Sequence, residues 1–323
     1  MKKIKFRKPL LVFFVAMAML LAGWFFYLAS GNSKCDYIFL NQALECSERP
    51  VISKAGYIQF KTKLSSEIAN LKAEGKVDNV AVFFRDLENG PTFGINEKEN
   101  FIPASLLKVP VMLTYFKLAE DDPALLQKEL IYSSASKALE NEQTIASEKI
   151  LEINKPYAID ELIFRMAAYS DNRSYDLLSE YLKILSLDAD LLSQTYTKLG
   201  MIDPGEDIAL ANLSVKTYAS IFRLLFNASY LSNELSEKAL KYLSYADYAG
   251  GLRGGVPKNI PIARKFGERW FSDGRKQLHD CGIIYFPGNP YLLCVMSRGK
   301  NFEDLSGVIS QISQAVWEEI KSR

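Results

Sequence analysis

The sequence predicts an α+β protein: one antiparallel sheet flanked by helices, an all-helical lobe, and an N-terminal helix that crosses a membrane. Three observations carry this prediction. Strand-like runs lie near both ends of the chain, at 79–99 and 260–299. The stretch between them is dominated by apolar residues at helical spacing. Residues 9–29 contain no charge at all.

The N-terminal signal is the simplest. Residues 1–8, "MKKIKFRK", carry five positive charges and form a short cytoplasmic segment. The 21 uncharged residues that follow are long enough to span a hydrocarbon core of roughly 30 Å. Basic residues stay on the cytoplasmic side, so the remainder of the chain is expected to face outward. The exit "YLASGNSKC" lacks an A-x-A-like cleavage site, which favours an uncleaved, single-pass anchor in the cell membrane. Residues 30–56 read as a linker, and 57–323 as the folded domain, with its helical lobe at about 119–247.

Within the domain, "IQFKTKLSSEIANLKAEGK" (58–76) places apolar residues at 58, 60, 64, 68 and 71, one helical stripe. "NVAVFFRDLENGPTFGINEKE" (79–99) reads as a β-hairpin turning at "ENGP". Helical segments follow at 158–169, 174–185, 214–226 and 233–245. Strands return at 260–268, 280–288 and 290–299. The chain closes with a helix whose Leu305, Val308, Ile309, Ile312, Val316, Trp317 and Ile320 share one face. For the hairpin and the last three strands to form one sheet, the two ends of the domain must meet. A site would then form in the cleft beside the helical lobe.

Composition excludes several functions. Thirty-nine basic against 38 acidic residues leave a net charge of +1, with no nucleic-acid footprint. His279 is the only histidine, and it precedes a strand-like run as a strand-end polar residue. A histidine-rich metal site is therefore excluded, and the absence of C-x-x-C spacing argues against zinc. No metal and no cofactor are expected. Cys35 and Cys46 bracket a short loop that a disulfide could close. Cys281 and Cys294 flank the turn "FPGNP", either bridged across a hairpin or buried as free thiols.

The stretch with chemical content is "FIPASLLKVP" (101–110). Ser105 opens a helical run after Pro103, where unpaired N–H groups and the helix dipole favour negative charge on an attacking oxygen. Lys108, three residues on, shares its face among Leu106, Leu107, Val109 and Val111. Apolar surroundings depress a lysine pKa and make the neutral amine a competent base. The spacing alone is weak, because Ser134 and Lys137 repeat it.

Two further stretches strengthen it. "SDN" at Ser170, Asp171 and Asn172 follows a helical run, and "KFG" at Lys265, Phe266 and Gly267 falls on a strand. Each is unremarkable alone, as a helix cap or turn and as a strand-end lysine. In this order the set resembles the S-x-x-K, S-D-N, K-T-G signature of class A β-lactamases and penicillin-binding proteins, with phenylalanine at the middle of the third motif. From about residue 57 to the end the chain resembles that superfamily, whose fold is a five-stranded antiparallel sheet with helices on both faces and an all-helical lobe.

The resemblance implies an acyl-enzyme mechanism. Ser105 corresponds to the acylated nucleophile, Lys108 to its base, and Ser170 to the hydroxyl relaying a proton to the leaving group. Asn172 would hold Lys108 and the substrate amide, and Lys265 would keep a proton mobile near Lys108 and Ser170. The backbone N–H groups of Ser105 and Glu268 would form the oxyanion hole. Gly267 would allow a substrate backbone to approach its strand.

Two departures from the family pattern affect function. Phe266 replaces the hydroxyl that bonds a substrate carboxylate, so its ring either lines an apolar subsite or points into the core. The loop "KLGMIDPGEDIALANLSVK" lacks the family's E-x-x-L-N arrangement, leaving Glu206 as the candidate deacylating group beside Asp207, both also readable as solvated turn residues. The expected protein is a monomeric, membrane-anchored, outward-facing serine hydrolase. It would acylate Ser105 with a β-lactam, D-alanyl peptide or ester-like substrate and deacylate slowly. The alternative is a penicillin-binding or cell-wall-sensing domain without turnover.

Overall fold

The computed structural model describes residues 17, 37–41, 57–88, 90–133, 151–185, 190–202 and 212–323. Apart from Met17, the segment 9–29 lies outside the described residues, as do Cys35 and Cys46, the Ser134–Lys137 pair, Glu206 and Asp207. Among the described residues, no helix is long and apolar enough to cross a membrane. Contacts divide the chain into Met1–Ile38 with Gln42–Arg49, and Phe39–Asn41 with Pro50–Arg323. The second unit holds every element discussed below.

Its helices are α1 (Ile58–Ala73), α2 (Lys108–Asp121), α3 (Ile159–Ala168), α4 (Asn172–Leu185), α5 (Leu191–Lys198), α6 (Val215–Phe226), α7 (Asn233–Ser244) and α8 (Phe302–Lys321). The strands are β1 (Asn79–Asp86), β2 (Thr92–Ile95), β3 (Asn100–Phe101), β4 (Glu129–Ile131), β5 (Pro156–Ala158), β6 (Leu213–Ser214), β7 (Ile262–Trp270), β8 (Lys276–Ile284) and β9 (Tyr291–Gly299). Five of them form one sheet in the order β2-β1-β9-β8-β7, antiparallel throughout. The first hairpin and the last three strands thus meet through β1 and β9, from Asn79 opposite Arg298 to Asp86 opposite Tyr291.

The central strands are buried on both faces, so apolar residues run continuously rather than alternating: in β9, only Arg298 is not fully buried. One face is covered by α1, through Phe60, Leu64, Ile68 and Leu71, and by α8, through Leu305, Val308, Ile309, Ile312, Val316 and Ile320. Each such aliphatic side chain contributes about 1.5–3 kcal/mol on burial. The start of α8 is set by Asn301, whose side chain accepts the Glu303 N–H at 2.8 Å, with Glu303 and Asp304 at the positive end of the dipole.

The other face is met by helices from within 119–247. Helix α6 lies within 119–247, yet it packs on β1, β8 and β9, and α7 packs on β7. Helix α6 is thus applied to the sheet, while α7 packs on β7 and also on α3 and α6. Cys281 and Cys294 stand opposite one another on β8 and β9 and form a disulfide, the bridged alternative of the two.

Candidate active site

The motif residues come together at the edge strand β7, the start of α2 and the break between α3 and α4. Ser105 does not open the α-helix. It sits in a single 3₁₀ turn, Ala104–Leu107, and α2 begins at Lys108. Ala104 takes φ 50°, a left-handed conformation that costs a non-glycine residue about 1–3 kcal/mol. The surroundings hold this turn from several directions. Ile102 donates its N–H to Gln277 Oε1 at 3.0 Å, and its carbonyl accepts from His279 Nε2 at 3.0 Å. Tyr218 of α6 donates its hydroxyl to the Leu106 carbonyl at 3.0 Å.

His279 is therefore a mid-strand residue of β8 rather than a strand-end one, because β8 begins at Lys276. It is fully buried, and its pKa falls to about 4, chiefly by desolvation. A carbonyl can only accept, so the neutral ring carries its proton on Nε2. That places the imidazole in support of the turn that carries Ser105, hydrogen-bonded to its Ile102 carbonyl.

Lys108 is 3% exposed. Its Nζ donates to the Ser170 carbonyl, lies 2.7 Å from Asn172 Oδ1 and 3.1 Å from Ser170 Oγ. Helix α2 points the lysine at the α3–α4 break, so these contacts are with the S-D-N segment and not with the Ser105 hydroxyl, which shares its face. Burial lowers the Lys108 pKa to about 7, against the opposing charges of Asp171, Asp176 and Glu268.

The break itself is built by Ser170 and Asp171. Ser170 has φ 54°, the second left-handed non-glycine at the site. Asp171 caps α4, accepting from the Arg173 N–H at 3.1 Å and from the Ser174 N–H at 3.2 Å. Cap and site are thus one feature: the cap turns the chain so that Ser170 and Asn172 both face Lys108.

Lys265 enters from β7. Its Nζ donates to Ser170 Oγ at 2.9 Å and to the Phe266 carbonyl at 2.9 Å. One hydroxyl, with one proton and two lone pairs, therefore stands between two amines. Burial pushes the Lys265 pKa well below its usual range, and the Lys108 charge adds to this. Two buried amines 3 Å from a shared hydroxyl can pass a proton between them with little motion.

Phe266 takes the inward of its two orientations. It is 2% exposed, packs on Tyr248 with ring centroids 4.9 Å apart, and lies 4.3 Å beneath Lys265 Nζ. Buried there, it supports Lys265 instead of lining a subsite. Gly267 also serves the protein's own chain: a Cβ at that position would meet Pro103 O at 3.0 Å and the Ser105 N at 3.2 Å. Glu268 follows Gly267 on the same strand. Its carboxylate acts electrostatically on both lysines.

Residues that sequence reading missed include Gln277 and Tyr218, which have no local signature because they act across the fold. Asp176 is different. It lies four residues after Asn172 on α4, a spacing legible in the sequence. A separate groove of about 590 Å³ beside Lys117, Leu126 and Tyr230 has no motif residue in its wall.

A model of the beta-lactamase enzyme family matches residues 63–320. No curated protein matches significantly. Among solved structures, a variant of PBP-A in an acyl-enzyme complex with penicillin G is similar, with a TM-score of 0.66 and 21% identity, over 81% of this chain and 97% of that one. A beta-lactamase from Chitinophaga pinensis gives a TM-score of 0.68 at 21% identity, covering 80% and 99%. A class A beta-lactamase from Mycobacterium abscessus gives 0.67 at 18%, also covering 80% and 99%. At these identities the solved structures speak for the fold alone.

Proposed function

Because the chain belongs to the beta-lactamase enzyme family, we propose that it is an active-site-serine hydrolase in which Ser105 is acylated. The observation that carries this reading is the Ser170 hydroxyl, held 3.1 Å from Lys108 Nζ and 2.9 Å from Lys265 Nζ. Both amines are biased towards neutrality by burial. In the proposed cycle, neutral Lys108 takes the Ser105 proton as Oγ attacks the acyl carbonyl. The Ser105 and Glu268 amides receive the developing oxyanion. Ser170 then passes a proton from the lysine pair to the leaving group. Asn172 holds Lys108 and bonds the substrate amide.

The substrate class is a β-lactam, a D-alanyl peptide or an ester. Phe266 offers no hydroxyl to a substrate carboxylate, which favours acyl donors that do not depend on that bond. Deacylation is slow in this reading, because the 198–216 stretch has no E-x-x-L-N arrangement. The domain faces outward on the uncleaved anchor at 9–29 and works as a monomer.

Pulse–chase labelling with penicillin G or a fluorophosphonate, followed by intact-mass spectrometry, tests the chemistry. One adduct on Ser105, absent in Ser105→Ala, is expected. Labelling that survives Ser105→Ala overturns the reading. An adduct that never clears would favour the non-turnover binding or sensing alternative. Retention in membranes after carbonate washing tests the anchor.

A further inference from the structure

Clearing an acyl-enzyme needs a base for the attacking water, and the described cleft offers few carboxylates. Lys108 is engaged by Ser170 and Asn172. Asp171 is engaged by the Arg173 and Ser174 amides and by the Ser174 hydroxyl at the start of α4. Asp176 is not. It stands one turn beyond Asn172, on the face that also brings the Tyr175 ring to 5.9 Å from Lys108 Nζ. Its Oδ2 is buried, and among the described residues it accepts no hydrogen bond. A buried carboxylate oxygen without a partner is costly, so a native protein that keeps one near reactive groups invites a functional explanation.

Resting on the reading of Ser105 as the acylated residue, we propose that Asp176 is the general base that activates water to clear the acyl-enzyme. The Asp176 carboxylate takes one proton from water as the water oxygen bonds to the acyl carbonyl carbon. The tetrahedral intermediate collapses with breakage of the bond to Ser105 Oγ. The serine oxygen recovers a proton from Asp176 through neutral Lys108, and the acid product leaves. Atoms and charge balance with water as the only co-reactant. Asp176 stands on α4, one turn beyond Asn172, and would supply the carboxylate that the 198–216 stretch lacks in an E-x-x-L-N arrangement.

The electrostatics agree with this role. Burial raises the Asp176 pKa to about 6. Lys108 on α2 acts in the opposite sense, while Glu180 on α4 and Asp171 at its cap add to the rise. A base must be ionised, so deacylation should increase as pH rises through about 6.

The test uses the full chain, a penicillin G pulse, and a chase followed by intact mass from pH 5 to 8. Asp176→Asn should form the Ser105 adduct at close to the wild-type rate and clear it about 100-fold more slowly. It should also lose the limb near pH 6, whereas Asp176→Glu should keep both the limb and most of the clearance. Clearance unchanged in Asp176→Asn overturns the proposal, as does a loss of clearance in Glu268→Gln of the size expected for Asp176→Asn. Should Asp176→Asn fail to fold, a wild-type deacylation rate that is flat between pH 5 and 7 overturns it by itself. If the wild type forms no adduct with penicillin G or an activated ester, the Ser105 reading fails, and this proposal falls with it.

Discussion

Gly267 of β7 lies against the backbone of Ser105: a Cβ on Gly267 would stand 3.2 Å from the Ser105 amide nitrogen. The strand that carries Lys265 and the turn that carries the candidate nucleophile are thus in direct backbone contact. Gly267→Ala forces the turn to move by a few tenths of an ångström. Small displacements of reacting groups cost much rate and little stability. Acylation of Ser105 should fall about tenfold, or ~1.4 kcal/mol in the barrier, with little change in thermal midpoint. Stopped-flow acylation and melting curves on the same sample check this.

The acylation rate should follow the free amine of Lys108. Its pKa of about 7 is set first by burial. The neutral, proton-accepting form grows as pH rises through that value, so acylation should increase through about pH 7 and level off above it. Lys108→Arg keeps the charge and removes the base, and should lower acylation about 100-fold or more. Rates from pH 5.5 to 9 distinguish the two.

Phe266→Thr would restore a motif hydroxyl, but the ring it removes is buried between Tyr248 and the Lys265 amine. Truncating such a ring leaves a cavity and typically costs about 3 kcal/mol or more. The variant should therefore unfold at lower denaturant with an unchanged m-value. Any gain in acylation by penicillins would be read against that loss.

His279 makes the fold acid-sensitive. Its folded pKa, about 4, lies below the ordinary value of 6.5. The unfolded chain therefore binds a proton that the native state refuses, so stability is complete above about pH 6.5 and declines as pH falls towards 4. The full loss is about 3 kcal/mol at 1.36 kcal/mol per pKa unit. Denaturant midpoints for the wild type and His279→Gln should converge on acidification, since only the former titrates.

The sheet, its flanking helices and the three motifs were legible because each has a local cause. Leu305 to Ile320 repeat at helical spacing, Val80 to Phe84 at strand character, and Ser105, Ser170 and Lys265 sit in short recognisable runs. The β8 boundary was not, because "KQLHD" is polar in sequence yet buried by pairing with both β7 and β9. The same holds for α6, whose apolar face is equally suited to a helical lobe or a sheet.

Sequence alone determined which polar groups stand in the order of the family signature: two serines, two lysines and an amide, in a chain with a single histidine. Tertiary structure decided how those groups are used. The left-handed turns at Ala104 and Ser170, the inward Phe266, the Gly267–Ser105 contact and the bare Oδ2 of Asp176 all depend on neighbours distant in the chain. Desolvation is the reason they stayed hidden. A lysine or aspartate has its ordinary pKa until folding removes its water, and only packing decides which of them loses it.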